Sequence, residues 1–268
     1  MIAIAHFVSI TLYVAAAALA ATGFARPMRA PVRGVHGLLA AGVAAHLGVL
    51  IWLAVRAGDI YVAGLGPSLS LAGFVLAATL LVVEVVAHDV SLTLVAAPLA
   101  AVPTLIATVI GFEHRVEPTG VQSAWLASHI ALSFIGIAAF ATAAVAGLMY
   151  LFERRQLKSG RFDAMFRLFP PLATLDRVNH WAALAGWLGL TVGVVLALAY
   201  SLEYGGMRSA QLAWGIAAWL GVSGVALGRV VRGWQAHRAA VWSSVSFAVV
   251  VLLYVVLRIA GPVAGKFH

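Results

Sequence analysis

Long apolar segments alternate with short polar stretches along the whole chain. In windows of about 19 residues, eight segments are apolar enough to cross a bilayer. A hydrocarbon core of about 30 Å takes about 20 helical residues, and a lipid-exposed backbone must satisfy its own hydrogen bonds, which selects helices. The pattern therefore predicts an all-α, polytopic membrane helix bundle with eight transmembrane helices, residues 1–268 forming a single integral membrane domain. The predicted spans are roughly 2–22, 35–56, 68–87, 90–111, 122–152, 178–201, 210–231 and 240–260.

The composition supports a membrane protein and argues against several kinds of function. Of the 268 residues, 63% are hydrophobic and 10% charged, and the mean hydropathy is +1.02, which is far outside the range of soluble domains. The chain contains no cysteine, so disulfides, thiolate metal sites and covalent c-type haem attachment are excluded on it. Walker loops, dinucleotide fingerprints, HExxH and nucleophile elbows are missing from the sequence. We therefore expect a protein that is not an enzyme.

The net charge of +8 is better explained by membrane topology than by nucleic-acid binding. Twelve of the 17 Lys and Arg residues fall in the loops on one side of the predicted bundle. Basic loops stay in the cytoplasm, so both termini are predicted to be extracytoplasmic, in a multi-pass protein of a bacterial inner membrane. The first segment has no cation before it and is expected to remain uncleaved. The inner cations are Arg26, Arg29, Arg33, Arg154, Arg155, Lys158, Arg161, Arg167, Arg177, Arg229, Arg232 and Arg238.

Two histidines lie deep within predicted spans. His129 is about eight residues inside the fifth span, about 12 Å at 1.5 Å per residue, and His46 lies near the middle of the second. Ionisable groups at such depth usually face other helices or a cavity. Two imidazoles at matching depth are what a bis-histidine haem or a small metal site requires. The alternative is that each hydrogen-bonds a neighbouring hydroxyl, such as Ser70 or Ser133, in helix packing.

The other histidines are weaker candidates. His6 is expected at the headgroup level, His180 lies too shallow to share a plane with His129, and His268 is the last residue. Glu84 and His88, four residues apart, could hold a divalent cation, but they lie at the membrane boundary, where Asp89 is expected to cap the next helix. The residues alone leave open an accessory membrane subunit with structural histidines. They also leave open a small-ion transporter using Glu84, His88 and the proline-containing fourth helix.

The fifth span, VQSAWLASHIALSFIGIAAFATAAVAGLMYLFERR, resembles the cytochrome c assembly proteins, the haem-handling membrane family that includes CcsA, CcmC and HemX types. Three further stretches are similar to that family, one in the third span and two near the sixth and seventh. The matching positions are Gln122, Ser123, Leu126, His129 and Ser133, then Pro170, Pro171, Leu172, Leu175, Asp176, Arg177, Gly186 and Gly193, then Ala218, Trp219, Gly233, Trp234 and Arg238.

The resemblance implies a function as well as a fold. It implies a protein of cytochrome c assembly or haem transport that binds haem b non-covalently, with His129 and His46 as axial ligands and other maturation proteins as partners. The tryptophan-rich motif of the haem-presenting members is missing, since the corresponding loop reads SLEYGGMRS. The chain thus resembles the branch without that motif, which implies haem binding more than presentation of haem to an apocytochrome.

Overall fold

The computed structural model describes residues 2–25, 32–57, 65–87, 92–112, 121–160, 169–205 and 209–260. Within these ranges the chain forms eight α-helices and no strand, and all eight are long and apolar enough to span a membrane. The predicted all-α bundle of eight transmembrane helices is confirmed. The helices are α1 (Ile2–Ala25), α2 (Val32–Ala57), α3 (Leu65–Ala87), α4 (Thr93–Ile110), α5 (Val121–Ser159), α6 (Leu172–Tyr204), α7 (Ser209–Arg232) and α8 (Ala236–Ala260).

Two helices are longer than the apolar pattern predicts. α5 continues through the polar turn after Phe152 to Ser159, and α6 begins at Leu172 rather than near residue 178. At 1.5 Å per residue the 39 residues of α5 extend about 58 Å, well beyond a hydrocarbon core of about 30 Å. Hydropathy locates only the part of a helix inside the hydrocarbon, so the polar continuation is invisible to it. Residues 161–168, between α5 and α6, lie outside the described residues.

The helices pack in two groups of four. α1 packs on α2 and α4, and α3 packs on α4 and α2, whereas α5 packs on α6 and α8, and α7 packs on α8 and α6. Contacts of α3 with α5 provide most of the packing between the groups. One core cluster, including Tyr13, Leu39 and Leu80, lies mainly among the first four helices, and a second, including Phe140 and Val222, lies among the last four. Many Leu, Val and Ile side chains are exposed on the helix surfaces, as expected of helices that face lipid.

Glycines bring the backbones of α5 and α6 close together. A methyl group placed on Gly136 would lie 2.6 Å from the backbone nitrogen of Leu190, and one on Gly189 would lie 2.9 Å from Cα of Gly136. Small residues at a helix contact allow this approach, which supplies van der Waals packing where lipid offers no hydrophobic driving force. The close α5–α6 contact positions His129 against the backbone of α6.

The chain direction alternates from helix to helix. We call the end of the bundle at which odd-numbered helices begin the first end, and the opposite end the second end. Contacts agree with this alternation, because Phe112, just after α4, stacks on His6 near the start of α1, with ring centroids 5.1 Å apart. His6, His46 and His129 all belong to the half of the bundle at the first end, whereas His180 lies at the second.

Candidate functional site

Two imidazoles meet one serine hydroxyl in the first group of helices. Nε2 of His6 lies 2.8 Å and Nε2 of His46 lies 3.0 Å from Oγ of Ser70. All three residues are fully buried, and the two rings are edge-to-face with centroids 5.2 Å apart. α1, α2 and α3 each contribute one of these residues, so the hydroxyl links three helices. Phe112 covers His6, and Phe74 lies against His46.

Tyr13 extends this cluster toward the bundle interior. Its hydroxyl lies 3.2 Å from Nδ1 of His46, and its ring occupies the space above Gly42, where a methyl group would lie 2.7 Å from Tyr13 Cε1. A neutral imidazole has one donor and one acceptor nitrogen, and a hydroxyl can donate one hydrogen bond while accepting others. Tyr13, His46, Ser70 and His6 can therefore form one continuous chain of hydrogen bonds, in that order. Both ring nitrogens of His46 are engaged in it.

His129 has a different environment, between α5 and α6. Its Nδ1 lies 2.8 Å from the carbonyl oxygen of Gly193 and 3.4 Å from Oγ of Ser133. A carbonyl only accepts, so Nδ1 carries the proton and donates to Gly193, which leaves Nε2 as the nitrogen with a free lone pair. Within the described residues no hydrogen bond reaches Nε2, and the side chain is partly exposed.

A second cross-helix bond fixes the same pair of helices. Nε1 of Trp125 donates to the carbonyl oxygen of Leu196 at 3.1 Å, one turn before His129 on α5. Leu196 follows Gly193 by three residues on α6, so the two bonds lie one above the other. His129 is thus oriented from both α5 and α6 and does not depend on a loop. A group that must keep a fixed direction is best built on such rigid elements.

The structure places the two predicted ligands against different helices. His46 contacts residues of α1 and α3, whereas His129 contacts residues of α6 and its own helix. In the described part of the chain no hydrogen bond or ring contact joins them. Their serine neighbours are the ones the packing alternative named, Ser70 for His46 and Ser133 for His129. Joint ligation of one group by His46 and His129 stays a prediction.

His6 and Glu84 are both buried inside the bundle. His6, near the start of α1, is fully buried against its neighbours, so it packs within the protein whatever its depth in the membrane. Glu84 is also fully buried, and its carboxylate accepts from the backbone N–H of Thr93 at 2.6 Å and from the Thr93 hydroxyl. A carboxylate at the first turn stabilises a helix by binding free N–H groups and opposing the dipole. Glu84 therefore caps α4, a role that had been expected of Asp89. His88, Asp89 and His268 lie outside the described residues.

The second end of the bundle holds a separate polar cluster. Arg229 of α7 pairs with Asp176 of α6 and also donates to the side-chain oxygen of Asn179 at 3.2 Å. The amide nitrogen of Asn179 donates to the carbonyl of Ala143 and to Ser243 Oγ, each at 2.7 Å. This network ties all four helices of the second group together. His180 lies beside it, 13 residues and about 20 Å along α6 from Gly193, so it does not share the region of His129.

Sequence reasoning missed His6 and Tyr13 as members of a histidine cluster. The signal was present in α1, where His6, Ser9, Tyr13, Ala16 and Ala20 follow each other at helical spacing. All five are buried, so they form one stripe. A polar group within a stripe of small residues indicates a helix contact. The position of His6 in the span predicts its depth in the membrane. It does not predict whether its side of the helix contacts other helices.

Comparison with known proteins identifies the family of the chain. No curated protein matches the chain. The family model described as cytochrome C assembly protein matches residues 4–263, which is nearly the whole chain and includes all eight helices. Membership of the family supports a role in cytochrome c maturation, and the eight apolar helices make this a multi-pass membrane protein. The chain belongs to the cytochrome c assembly protein family.

Proposed function

We propose that the chain binds haem non-covalently at the first end of the bundle and handles it during cytochrome c maturation, with Nε2 of His129 as an axial ligand. The observation that carries the proposal is the 2.8 Å contact between Nδ1 of His129 and the Gly193 carbonyl. Histidines that ligate metals almost always donate their other ring N–H to a carbonyl or carboxylate, which fixes the tautomer and raises the basicity of the ligating nitrogen. His129 has this arrangement before any ligand is considered.

The donor set of the chain fits haem chemistry. Cysteine is missing from the sequence, so a thiolate ligand is excluded and iron would be held by histidine, methionine or oxygen ligands. Neutral imidazole suits haem iron. His129 supports this fit through its oriented ring and its partly exposed position. Haem, once bound, would supply the iron centre and the cargo, and the residues of this chain bind and orient it without making or breaking bonds.

His46 is the proposed second axial ligand. To bind iron, one of its ring nitrogens must give up its present hydrogen bond. Its Nε2 bonds Ser70 and its Nδ1 bonds Tyr13, so one of these contacts would have to be given up. Removing a hydrogen-bond partner from a buried group costs about 1–3 kcal/mol, which an iron–imidazole bond can offset. Retaining the bond from Tyr13 would hold the ring while Nε2 leaves Ser70.

A second candidate function rests on the same contacts. The chain of hydrogen bonds from Tyr13 to His6 satisfies His46 completely, as a purely structural cluster would. In that case the protein is an accessory membrane subunit of cytochrome c maturation. The ion-transport alternative gains nothing from Glu84, whose carboxylate caps α4.

The visible spectrum of the purified protein separates these functions. We expect the full-length protein in detergent to bind added haem b with a Soret band typical of histidine ligation. His129→Ala should abolish that band or shift it, and His46→Ala should weaken it. The matched control is His237→Ala, because His237 is exposed at the start of α8. A spectrum that His129→Ala leaves identical to that of His237→Ala would exclude His129 as a ligand and favour the accessory subunit.

The proposal extends to the location of the protein. We propose that it lies in a bacterial inner membrane with both termini outside, so that the first end, with His129, faces the extracytoplasmic side where c-type cytochromes are matured. The basic residues of the inner loops support this orientation. A reporter that is active only outside the cell, fused after His268, should be active. Activity of a cytoplasmic reporter at that position would contradict it.

A further inference from the structure

A pocket of about 430 Å³ lies at the second end of the bundle, away from the histidines of the proposed haem site. It is formed where α6 begins and where α7 turns into α8. Two of the sequence stretches that resemble the family motifs meet there, and the proposed haem function uses only Gly193 of them, which lies about 20 Å along α6 from His180. The pocket is lined by Ala173, Asp176, Arg177, His180, Arg229, Gly233 and Trp234.

The turn between α7 and α8 forms one wall of the pocket. Gly233 has a φ of 58°, a left-handed conformation that residues with side chains rarely adopt. It directs Trp234 back over α7, where the backbone N–H of Trp234 donates to the carbonyl of Gly228 at 3.1 Å. The indole ring lies directly on Gly228, whose missing side chain leaves the space. Arg238 lies over the same ring, 4.8 Å from its centroid.

The pocket contains buried N–H groups that lack an acceptor. Nε of Arg229 and Nε1 of Trp234 are such N–H groups, and Nδ1 of His180 is a further buried nitrogen; none of the three makes a hydrogen bond within the described residues. The Arg229 side chain is only 9% exposed, and one of its terminal nitrogens donates to both Asp176 and Asn179. Guanidinium and indole nitrogens donate and never accept. A buried donor without a partner costs about as much as a lost hydrogen bond, so the pocket favours a ligand that brings acceptor oxygens.

The charge of the pocket selects an anion. Asp176 is neutralised by Arg229, and Arg177 adds a further positive charge on the exposed rim. Arg238 lies on the outer side of the Trp234 ring. A ligand with several acceptor oxygens and a negative charge satisfies both the free donors and the excess charge.

The depth of the pocket identifies the source of that anion. Trp181 and Trp242 flank this end of the bundle and are 64% and 47% exposed, and tryptophans collect at the headgroup level of a membrane. Basic pockets between transmembrane helices on the cytoplasmic side bind lipid headgroups. We propose that this pocket binds the phosphate group of an anionic membrane lipid, with Arg229, Trp234 and Arg177 as its donors.

Native mass spectrometry of the full-length protein tests this binding. Titration with phosphatidylglycerol in detergent should give one tightly bound lipid, and phosphatidylcholine should bind at least tenfold more weakly. Arg177→Gln should weaken phosphatidylglycerol binding about fivefold, the contribution of one basic residue near an anionic membrane surface. Trp234→Phe keeps an aromatic ring but removes the N–H, and should weaken binding about tenfold. Arg155→Gln is the matched control, since Arg155 is an exposed residue at the end of α5 and does not line the pocket.

Other outcomes contradict the proposal. Equal losses of phosphatidylglycerol binding in Arg177→Gln and Arg155→Gln would show that the lipid is attracted to the basic surface in general and not bound at this pocket. Displacement of the lipid by millimolar inorganic phosphate, with the same response to Trp234→Phe, would assign the pocket to a free anion. Absence of any preference over phosphatidylcholine would exclude an anion site. Because Trp234→Phe could disturb the turn, circular dichroism and thermal unfolding should accompany it, and Arg177→Gln tests the site without touching a buried residue.

Discussion

The close contact between Gly193 and Ser133 makes a quantitative prediction about how His129 is held. A methyl group on Gly193 would lie 2.5 Å from Oγ of Ser133, and 3.3 Å and 3.4 Å from its Cα and Cβ. Gly193→Ala therefore forces α5 and α6 apart unless the hydroxyl is removed. Overpacking of this kind costs about 1–3 kcal/mol, and the separation lengthens the bond between Nδ1 of His129 and the Gly193 carbonyl.

Removing the hydroxyl should cancel most of that cost. In a Ser133→Ala background the tightest contact is lost, and the remaining distances of 3.3 Å and 3.4 Å to Cα and Cβ require a shift of only a few tenths of an ångström. We therefore expect Gly193→Ala to cost less than about 1 kcal/mol in that background, since residues in contact couple by about 0.5–3 kcal/mol. Denaturant unfolding of the four proteins in detergent measures the stability cycle, and haem titration of the same four measures the effect on His129.

The cycle also has a clear contrary result. Equal costs of Gly193→Ala with and without the Ser133 hydroxyl would show that α5 and α6 are not as close as described. Weaker haem binding in Gly193→Ala that Ser133→Ala restores would support the role of the Gly193 carbonyl. Unchanged haem binding in Gly193→Ala, despite lower stability, would refute the claim that the close contact of α5 and α6 orients His129 for haem.

Three further substitutions test the polar contacts inside the bundle. Ser70→Ala leaves two buried imidazoles without their shared partner and should cost about 2–4 kcal/mol by unfolding; a cost below about 0.5 kcal/mol would show that Ser70 does not bridge the rings. Glu84→Gln removes the charge at the α4 N-terminus and should cost about 1–2 kcal/mol, and a neutral effect would exclude the cap. Asn179→Ala breaks the bonds to Ala143 and Ser243 and should cost about 1–3 kcal/mol, whereas stability equal to wild type in a thermal melt would contradict the network.

The number and type of helices could be predicted because the bilayer imposes them. A span needs about 20 apolar residues whatever it packs against, so the pattern of each segment is sufficient. The polar extension of α5 to Ser159 could not be predicted, because a hydropathy profile detects only the apolar part of a helix that lies within the hydrocarbon. The capping of α4 by Glu84 could not be predicted either, because a charged residue near a span boundary is ordinarily solvated. Only the packing of α3 against α4 brings Glu84 to Thr93.

Depth could be predicted for the candidate site, but direction could not. The sequence places His46 and His129 well inside their spans, because depth along a helix follows from the rise per residue. Which helix each ring faces depends on the order of packing, which places α1 and α3 beside His46 and α6 beside His129. The partner of His129 is a backbone carbonyl, and no side-chain pattern reports one. Gly193 lies on the same face of α6 as Gly186 and Gly189. This run of glycines was the one feature of the sequence indicating that the α6 backbone is open to contact near His129.

The central claim is that Nε2 of His129 ligates haem iron, and replacement of that ring by free imidazole tests it most directly. His129→Gly removes the ligand and leaves a space for imidazole, while the Gly193 carbonyl remains as an acceptor for its N–H. Electron paramagnetic resonance and the Soret band of the haem-loaded protein should both lose the histidine signature in His129→Gly and regain it when imidazole is added. A signature that persists in His129→Gly, or that imidazole fails to restore while the variant keeps its helix content and still binds haem, would contradict the account.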